Sequence, residues 1–405
     1  VSFRYQAAIN KPGFNPLGTQ TSVSGVQYSG LWNLSSQANA QGAGTWPIVG
    51  PKLYAWGSGL SGALGLGNTT SYSNPKQVGS LATWSVVSGF QSSSFAVKTD
   101  GTLWSWGSNG QGQLGLGDTA NRSSPTQIGI LTAWSKISSG QAFCLAVKTD
   151  GTLWSWGANT YGALGLGNTT DYSSPKQVGA LTTWDQVAGG GQYSLAIKTD
   201  GTLWSWGGSA FQVGQLGLGN KTNYSSPKQV GALTNWSKIS ANNYHALAVK
   251  TDGTLWSWGG GYFTNYGQLG LGNTTNYSSP KQIGALTSWS SVKTDANSSI
   301  ALKTDGTIWS WGQNANGQLG LGSITNYSSP KQIGALTNWL SIVGGGYFTA
   351  AIKTDGTLWS WGQNDDGQLG VGNITSYSSP KQIGSLTNWS KLGAGFYYLL
   401  AVTSS

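Results

Sequence analysis

The 405-residue chain has no glutamate, no methionine, one cysteine and one histidine, and only 8% of its residues are charged. Each shortage closes off a class of function. With Cys144 alone, neither an intrachain disulfide framework nor a cysteine metal site can be built, and the residue reads as a small buried one. A Ser/His/Asp assembly would have to centre on His245, and no nucleophile motif accompanies it. The adjacent carboxylates Asp365 and Asp366 lie in a turn between Asn364 and Gly367 and read as a solvated loop. No spacing suits zinc or an EF-hand, and no Gly-Lys-Ser/Thr phosphate loop is present. The expectation is a protein that is not an enzyme and uses no cofactor or metal. No apolar run reaches membrane-spanning length, so membrane insertion is not expected, and nothing reads as a signal peptide.

What fills the chain instead is repetition. The run Lys-Thr-Asp-Gly-Thr-Leu-Trp-Ser-Trp-Gly, followed by Gln/Ala-Leu-Gly-Leu-Gly, returns with little change. Its second Trp falls at Trp56, Trp106, Trp156, Trp206, Trp258, Trp311 and Trp361, giving spacings of 50, 50, 50, 52, 53 and 50. A fixed period of this size marks a solenoid, an array or a propeller. Within one unit, Ile137, Leu145 to Lys148 and Thr152 to Gly157 alternate apolar with small or polar residues between turn signals, which is strand spacing. The Asp-Gly pairs beginning at Asp100, Asp150, Asp200, Asp252, Asp305 and Asp355 predict tight hairpins whose two central residues take positive φ. Leu-Gly-Leu-Gly, as at Leu114 to Gly117, lets the backbone pass close to a neighbour. Each unit then ends on a proline followed by Lys76, Lys176, Lys228, Lys281, Lys331 or Lys381, with Thr126 as the exception. That pair suits an outer edge strand guarded against foreign pairing.

Four strands per unit around a hub describe a β-propeller blade. The last unit stops at Leu399 to Val402 without its own signature, and the first begins with the isolated fragment Lys52 to Gly57. We therefore expect an all-β, seven-bladed β-propeller over residues 51–405, closed where Leu53, Tyr54 and Trp56 meet Leu400 and Val402.

These motifs resemble the regulator-of-chromosome-condensation (RCC1-type) repeat, whose signature reads Asp-Gly, aromatic, any residue, Trp-Gly, then Gly-Gln-Leu-Gly; the resemblance covers residues 51–405. It implies the propeller fold. Members of that family include an exchange factor for a small GTPase that binds chromatin, and secreted bacterial proteins that cap an enzyme with one propeller face. In the family a histidine often precedes the Ala-Leu strand. Here the position holds Ser93, Phe143, Tyr193, His245, Ser298, Phe348 and Tyr398, so only His245 matches. The exchange-factor activity fits poorly, because nothing resembles a nuclear-localisation run or an exchange wedge.

The formal charge of +9 comes mostly from repeated lysines, those of the edge strand and Lys98, Lys148, Lys198, Lys250, Lys303 and Lys353 beside the Asp-Gly turns. Spread evenly round a ring, they read as solvated charge and not as a nucleic-acid stripe, so no specific nucleic-acid partner is expected. Residues 1–50 lack the repeat but carry Phe3, Tyr5, Phe14, Tyr28, Trp32 and Trp46, too many aromatics for a plain linker. Asn10 to Leu17 resembles the opening of virion proteins of tailed phages that also carry these repeats. The segment reads as an attachment arm to other virion proteins.

Two places break the repetition. The turn after Trp-Gly gains residues in the fourth and fifth repeats, bringing Phe211, Tyr262, Phe263 and Tyr266 onto loops of neighbouring blades. Inserted aromatics of this kind form a binding patch or fold back over the blade edge. The second place lies four to nine residues after the Trp of Thr-x-Trp, at one mouth of the presumed channel. It carries Gln91, Gln141 and Gln192 in three units, Asn242, Asn243, Tyr244 and His245 in another, then Lys293 with Asp295, Tyr347, and finally Phe396 with Tyr397. These residues either recognise a partner or fill the channel. The function expected is that of a non-enzymatic virion structural or adhesion protein, a phage tail or fibre component that contacts a host-surface glycan or protein. A secreted or cell-surface adhesin or lectin is the alternative, and self-association into a homo-oligomer is left open.

Overall fold

The computed structural model describes residues 50–404 apart from 81–82 and 262–263. The expected arm, residues 1–50, falls outside that range except for Gly50. The described chain forms seven four-stranded antiparallel sheets. In blade 2 the strands run from hub to rim as Trp84–Phe90, Ser93–Lys98, Leu103–Gly107 and Arg122–Gln127. Blades 3 to 7 repeat this order from Trp134, Trp184, Trp236, Trp289 and Trp339. Blade 1 is composite. Its inner strands Trp389–Ala394 and Tyr398–Thr403 come from the chain's end, and its outer strands Leu53–Gly57 and Tyr72–Gln77 from the start of the propeller. The two parts pair in the register Leu53 to Val402, Tyr54 to Ala401, Ala55 to Leu400 and Trp56 to Leu399. Inner strands of successive blades pack on one another all the way round, so the ring is closed.

One contact joins each blade to the one before it. The second signature Trp is fully buried and donates its indole N–H to a carbonyl in the preceding blade's loop. Trp106 reaches Ala63 O at 2.9 Å, Trp311 reaches Gln268 O at 2.9 Å, and Trp56 completes the circuit on Gln368 O at 3.1 Å. The first glycine of Leu-Gly-Leu-Gly lies flat against that indole: a Cβ on Gly115 would sit 2.7 Å from Trp156 Nε1. In blades 2 to 7 a third ring, the Trp that begins the inner strand, meets both signature indoles edge-on, as Trp134 does with Trp154 at 6.0 Å and Trp156 at 6.2 Å; in blade 1 Trp389 meets Tyr54 and Trp56 instead.

The Asp-Gly turns differ from the two-residue hairpin expected. Gly101 N bonds to Lys98 O and Lys98 N to Thr102 O, which closes a three-residue loop in which Gly101, at φ 76°, is the only residue with positive φ. Asp100 contributes its side chain instead. Its Oδ1 accepts from Thr102 N at 2.9 Å and from Thr102 Oγ1 at 2.6 Å, which holds its pKa below the usual carboxylate range. The lysines beside these turns are not solvated charge either. Lys98 is 8% exposed, with Nζ 3.7 Å from the Trp104 ring centroid and 5.2 Å from that of Trp84, a geometry the other five such lysines repeat. The reason is that a cation over two indole faces recovers part of its lost hydration. Burial pulls the pKa of Lys98, Lys198 and Lys250 below the ordinary lysine value.

The interblade contact can be tested with two glycines that share a positive φ. Gly179, at φ 61°, has open space where its Cβ would be, whereas Gly115, at φ 73°, faces Trp156. In chemical denaturation Gly179→Ala should cost about 1–2 kcal/mol from backbone strain. Gly115→Ala should cost about 1–3 kcal/mol more from overpacking. Equal losses would remove the close approach as a determinant.

Candidate recognition face

In every blade the chain leaves the inner strand by a short turn, returns along the second strand, and leaves the third strand by a long loop. The inner turn and the long loop therefore share one face. Backbone bonds tie them together: Ser108 N to Ser92 O, Ala158 N to Ala142 O, Gly260 N to Tyr244 O and Ser58 N to Tyr397 O, at 2.8–3.0 Å. Neighbouring inner turns are also joined, by Phe396 N to Gln91 O, Gln141 N to Gly190 O, Gly191 N to Asn242 O and Gly346 N to Phe396 O. The two places where the repetition breaks thus lie on one surface, and its backbone is pinned.

That surface has two chemically distinct sectors. Over blades 2 to 4 the side chains of Gln91, Gln141 and Gln192 are exposed or half-buried, and with Gln111, Thr160 and Tyr161 they rim a cavity of about 330 Å³. The other sector is aromatic and acidic. Phe211, on the inserted loop of blade 4, meets Tyr244 of blade 5 edge-on at 5.7 Å. Tyr347, Phe396 and Tyr397 form a chain of edge-on rings at 5.4 and 4.9 Å. Asp366 is half-buried, and its pKa is raised by burial and then by the charge of Asp365; the same carboxylates raise the pKa of Tyr397 after burial does. The Asp365–Asp366 loop is thus only partly solvated. Tyr266 is half-buried, its N–H bound to Gln268 Oε1 at 2.8 Å, while Tyr262 and Phe263 lie outside the described residues.

Three residues expected at the channel mouth face inward. His245 is fully buried, with Nε2 3.0 Å from Ser299 Oγ of the next blade, and burial lowers its pKa to about 4. It fills the packing slot that Phe143, Tyr193, Phe348 and Tyr398 fill elsewhere. Asn242 and Asp295 are 7% and 2% exposed. The Asp295 carboxylate accepts from Ala296 N–H and from Ser298 Oγ at 3.0 Å, and burial pushes its pKa well up. All three stand where the strands end, and only the one or two residues at the tip of the turn project. Asn243 and Tyr244 do so and are half-buried. Lys293 lies deeper and lines the central channel, a cavity of about 180 Å³, where enclosure by the ring lowers its pKa. Six blades carry Ser88, Ser138, Ala188, Ser240, Val343 and Gly393 at its position.

Gln111 and Tyr161 were not singled out from sequence. The signal was available, because the residue before the loop glycine reads Ser61, Gln111, Tyr161, Val213, Tyr266, Asn316 and Asp366 round the ring. Among the described residues no group of three or more His, Cys or Asp side chains is placed to hold a metal ion.

Comparison with known proteins agrees with this architecture. The profile of the family described as RCC1-like domain matches residues 52–298, and the regulator of chromosome condensation (RCC1) repeat matches residues 305–352 and 355–402. The human E3 ubiquitin-protein ligase HERC2 is 36% identical over 109 residues, which are 25% of this chain and 2% of that protein. The Xenopus laevis Regulator of chromosome condensation is 33% identical over 107 residues, again 25% of this chain and 24% of that protein. The match thus spans less than a quarter of either relative's length. Among solved structures, human WBSCR16 superposes with a TM-score of 0.78 at 20% identity, covering 88% of this chain and 100% of that one. Prp20p from Saccharomyces cerevisiae gives 0.77 at 20% identity, covering 89% and 93%.

The buried histidine gives this face a pH signature. Its folded pKa of about 4 lies below the ordinary 6.5, so between those values the unfolded chain binds a proton that the folded one refuses. The stability is fully present above pH 6.5 and is lost as pH falls toward 4. Between pH 7 and pH 4.5 the wild type should lose about 2–3 kcal/mol more than His245→Gln, measured by chemical denaturation at both values. Equal losses would mean that His245 does not titrate in this way.

Proposed function

This chain belongs to the RCC1-like domain family, and from that premise we propose that it is a non-enzymatic recognition protein that binds its partner through the non-repeating face of the propeller. The observation that carries the reading is the contrast between the two faces. Opposite the recognition face, the Lys-Thr-Asp-Gly-Thr turns recur almost unchanged, their aspartates bonded within the turn and their lysines packed on indoles. On the recognition face, seven blades of one scaffold carry seven different turn tips. Side chains there are free to differ because the backbone beneath them is held by bonds that do not involve them.

Structures of the same fold are described through protein partners: Prp20p by its binding to Gsp1p and histones, and yeast RCC1 as a complex with Kap60. That precedent supports protein binding as a use of the architecture, not a particular partner here. For the setting, we propose a virion, with the propeller as a tail or fibre component meeting a host-surface protein or glycan and residues 1–50 attaching it to other virion proteins. The low charge and the abundance of Gly, Ser, Thr and Asn support that setting, as does the aromatic segment that precedes the first blade.

Substitution in the half-buried ring chain tests the reading. Phe396→Ala with Tyr397→Ala should reduce adsorption of the purified protein to its target cells at least tenfold. Leu181→Ser, at a 49% exposed leucine beside the opposite face, should leave adsorption unchanged. The reverse pattern would assign binding to the other face. Mass spectrometry of purified virions should detect the chain, and its absence from them would remove the virion setting while leaving the recognition face standing.

A further inference from the structure

The amide-rich sector carries no charge at all, unlike the central channel, which Lys293 lines. The cavity of about 330 Å³ is lined by Gln, Ser, Thr, Gly and Ala together with Tyr161 and Phe143. Its size falls within the range of small-ligand sites, and its entrance is framed by loops of two blades and turns of three. Gln113 at its base is committed to the fold: Oε1 accepts from Gln111 N at 2.8 Å and Nε2 lies 3.4 Å from Ser108 Oγ. The side-chain amides of Gln91, Gln111, Gln141 and Gln192 make no hydrogen bond to the protein among the described residues, although their backbones are fixed. Gln91 is held at φ 45°, a strained value for a non-glycine residue, and its carbonyl receives Phe396 N at 3.1 Å. Gln141 N bonds to Gly190 O at 3.2 Å. Four amides with unspent donors and acceptors thus converge on one rigid concave space beside a half-buried tyrosine ring.

We propose that this cavity is a carbohydrate site for neutral glycans. The inference rests on the recognition reading above and names the ligand class for one sector of that face. A primary amide offers two donors and one acceptor oxygen in a plane, which matches a pair of adjacent sugar hydroxyls. An aromatic ring accepts the apolar C–H face of a pyranose. An anionic or cationic ligand would lose hydration here without meeting an opposite charge, which selects against it. A protein partner is disfavoured because only two aromatic rings line the cavity and one of them, Phe143, is 2% exposed, short of the aromatic cluster that anchors protein interfaces.

The test uses the full chain and saturation-transfer NMR with maltotriose, cellotriose, mannotriose and chitotriose, plus anionic sialyllactose for comparison. At least one neutral trisaccharide should receive saturation on its ring protons. Its affinity should fall at least tenfold in Tyr161→Ala and in Gln141→Ala at unchanged melting temperature, and should be unaffected in Phe396→Ala/Tyr397→Ala. Transfer to none of the neutral sugars, equal transfer in both cavity variants, or preference for sialyllactose would each overturn the proposal, as would a protein partner that the cavity substitutions release. Because the adsorption test uses the other sector, failure here with loss of adsorption in Phe396→Ala/Tyr397→Ala would leave the recognition face intact and remove only the glycan.

Discussion

An indole N–H from one blade, donated to a loop carbonyl of the blade before it, is the contact on which this molecule depends. It is made seven times, and the last instance, from Trp56 to Gln368 O, joins residues 312 positions apart. Each indole is wholly buried against a glycine that tolerates no side chain, so the blades meet at a spacing that only one pair of residue types allows. Van der Waals contact with a flat ring falls off steeply with distance, and the hydrogen bond fixes the direction of approach. Repeated at equal angles, a fixed spacing and direction leave a closed ring as the outcome. The composite blade follows from the same rule, because a ring that must close on its own indole contact can take strands from either end of the chain.

This contact spends the chain's aromatic content on cohesion and leaves its chemistry elsewhere. The inner-strand indoles and the signature indoles, two in each of blades 2 to 7 and one in blade 1, form the core between sheets, and the turn lysines of blades 2 to 7 lie on those same rings at the face opposite the variable turns. A lysine so placed is neither a partner for an anionic ligand nor a device against edge pairing. The edge-strand lysines keep that second role, each lying over a tyrosine of its own strand, as Lys176 does over Tyr172 at 5.4 Å. A formal +9 therefore says little about the partner, because the charge that looks distributed and available is in large part engaged by aromatic faces.

The period, the four strands and the seven blades were legible in the sequence because each rests on a feature repeated along the chain, where local preference and global geometry agree. The closure at Leu53, Tyr54 and Trp56 was legible because the last unit lacks the signature strand that the isolated first fragment carries. The lysine packing was not, since a charge at a turn looks the same whether a ring lies beneath it or water does. The hairpin type was missed for a related reason: Asp-Gly is compatible with two turn geometries, and the choice is made by Thr102, whose N–H and hydroxyl both bind the Asp100 carboxylate. Site residues were legible as positions and not as directions. His245, Asp295 and Asn242 stand among variable neighbours in the sequence, yet their side chains turn into the ring, and the sign of inward or outward lies in the paired variation of two positions, not in either alone.

One rule inside the variable turns separates packing from recognition. The ninth residue after the inner-strand Trp is Phe143, Tyr193, Phe348 or Tyr398 in four blades, and in those blades the sixth residue is Gly140, Gly190, Gly345 or Gly395. A Cβ on any of these glycines would lie 1.8–2.2 Å from the ring it faces. In the other three blades the ninth residue is Ser93, His245 or Ser298, and the sixth then carries a side chain, Phe90, Asn242 or Asp295. The two positions thus share one slot: where the ninth residue is a six-membered ring the sixth is glycine, where it is serine the sixth carries a side chain, and in blade 5 the smaller imidazole of His245 is buried together with Asn242. Variation at the sixth and ninth residues is accounted for by filling that slot, which explains why His245, Asn242 and Asp295 are buried. The seventh and eighth residues obey no such rule. They are the tip of the turn, and they hold Gln91, Gln141, Gln192, Asn243, Tyr244, Tyr347, Phe396 and Tyr397, so the part of the variation that packing does not explain coincides with the part that projects from the ring.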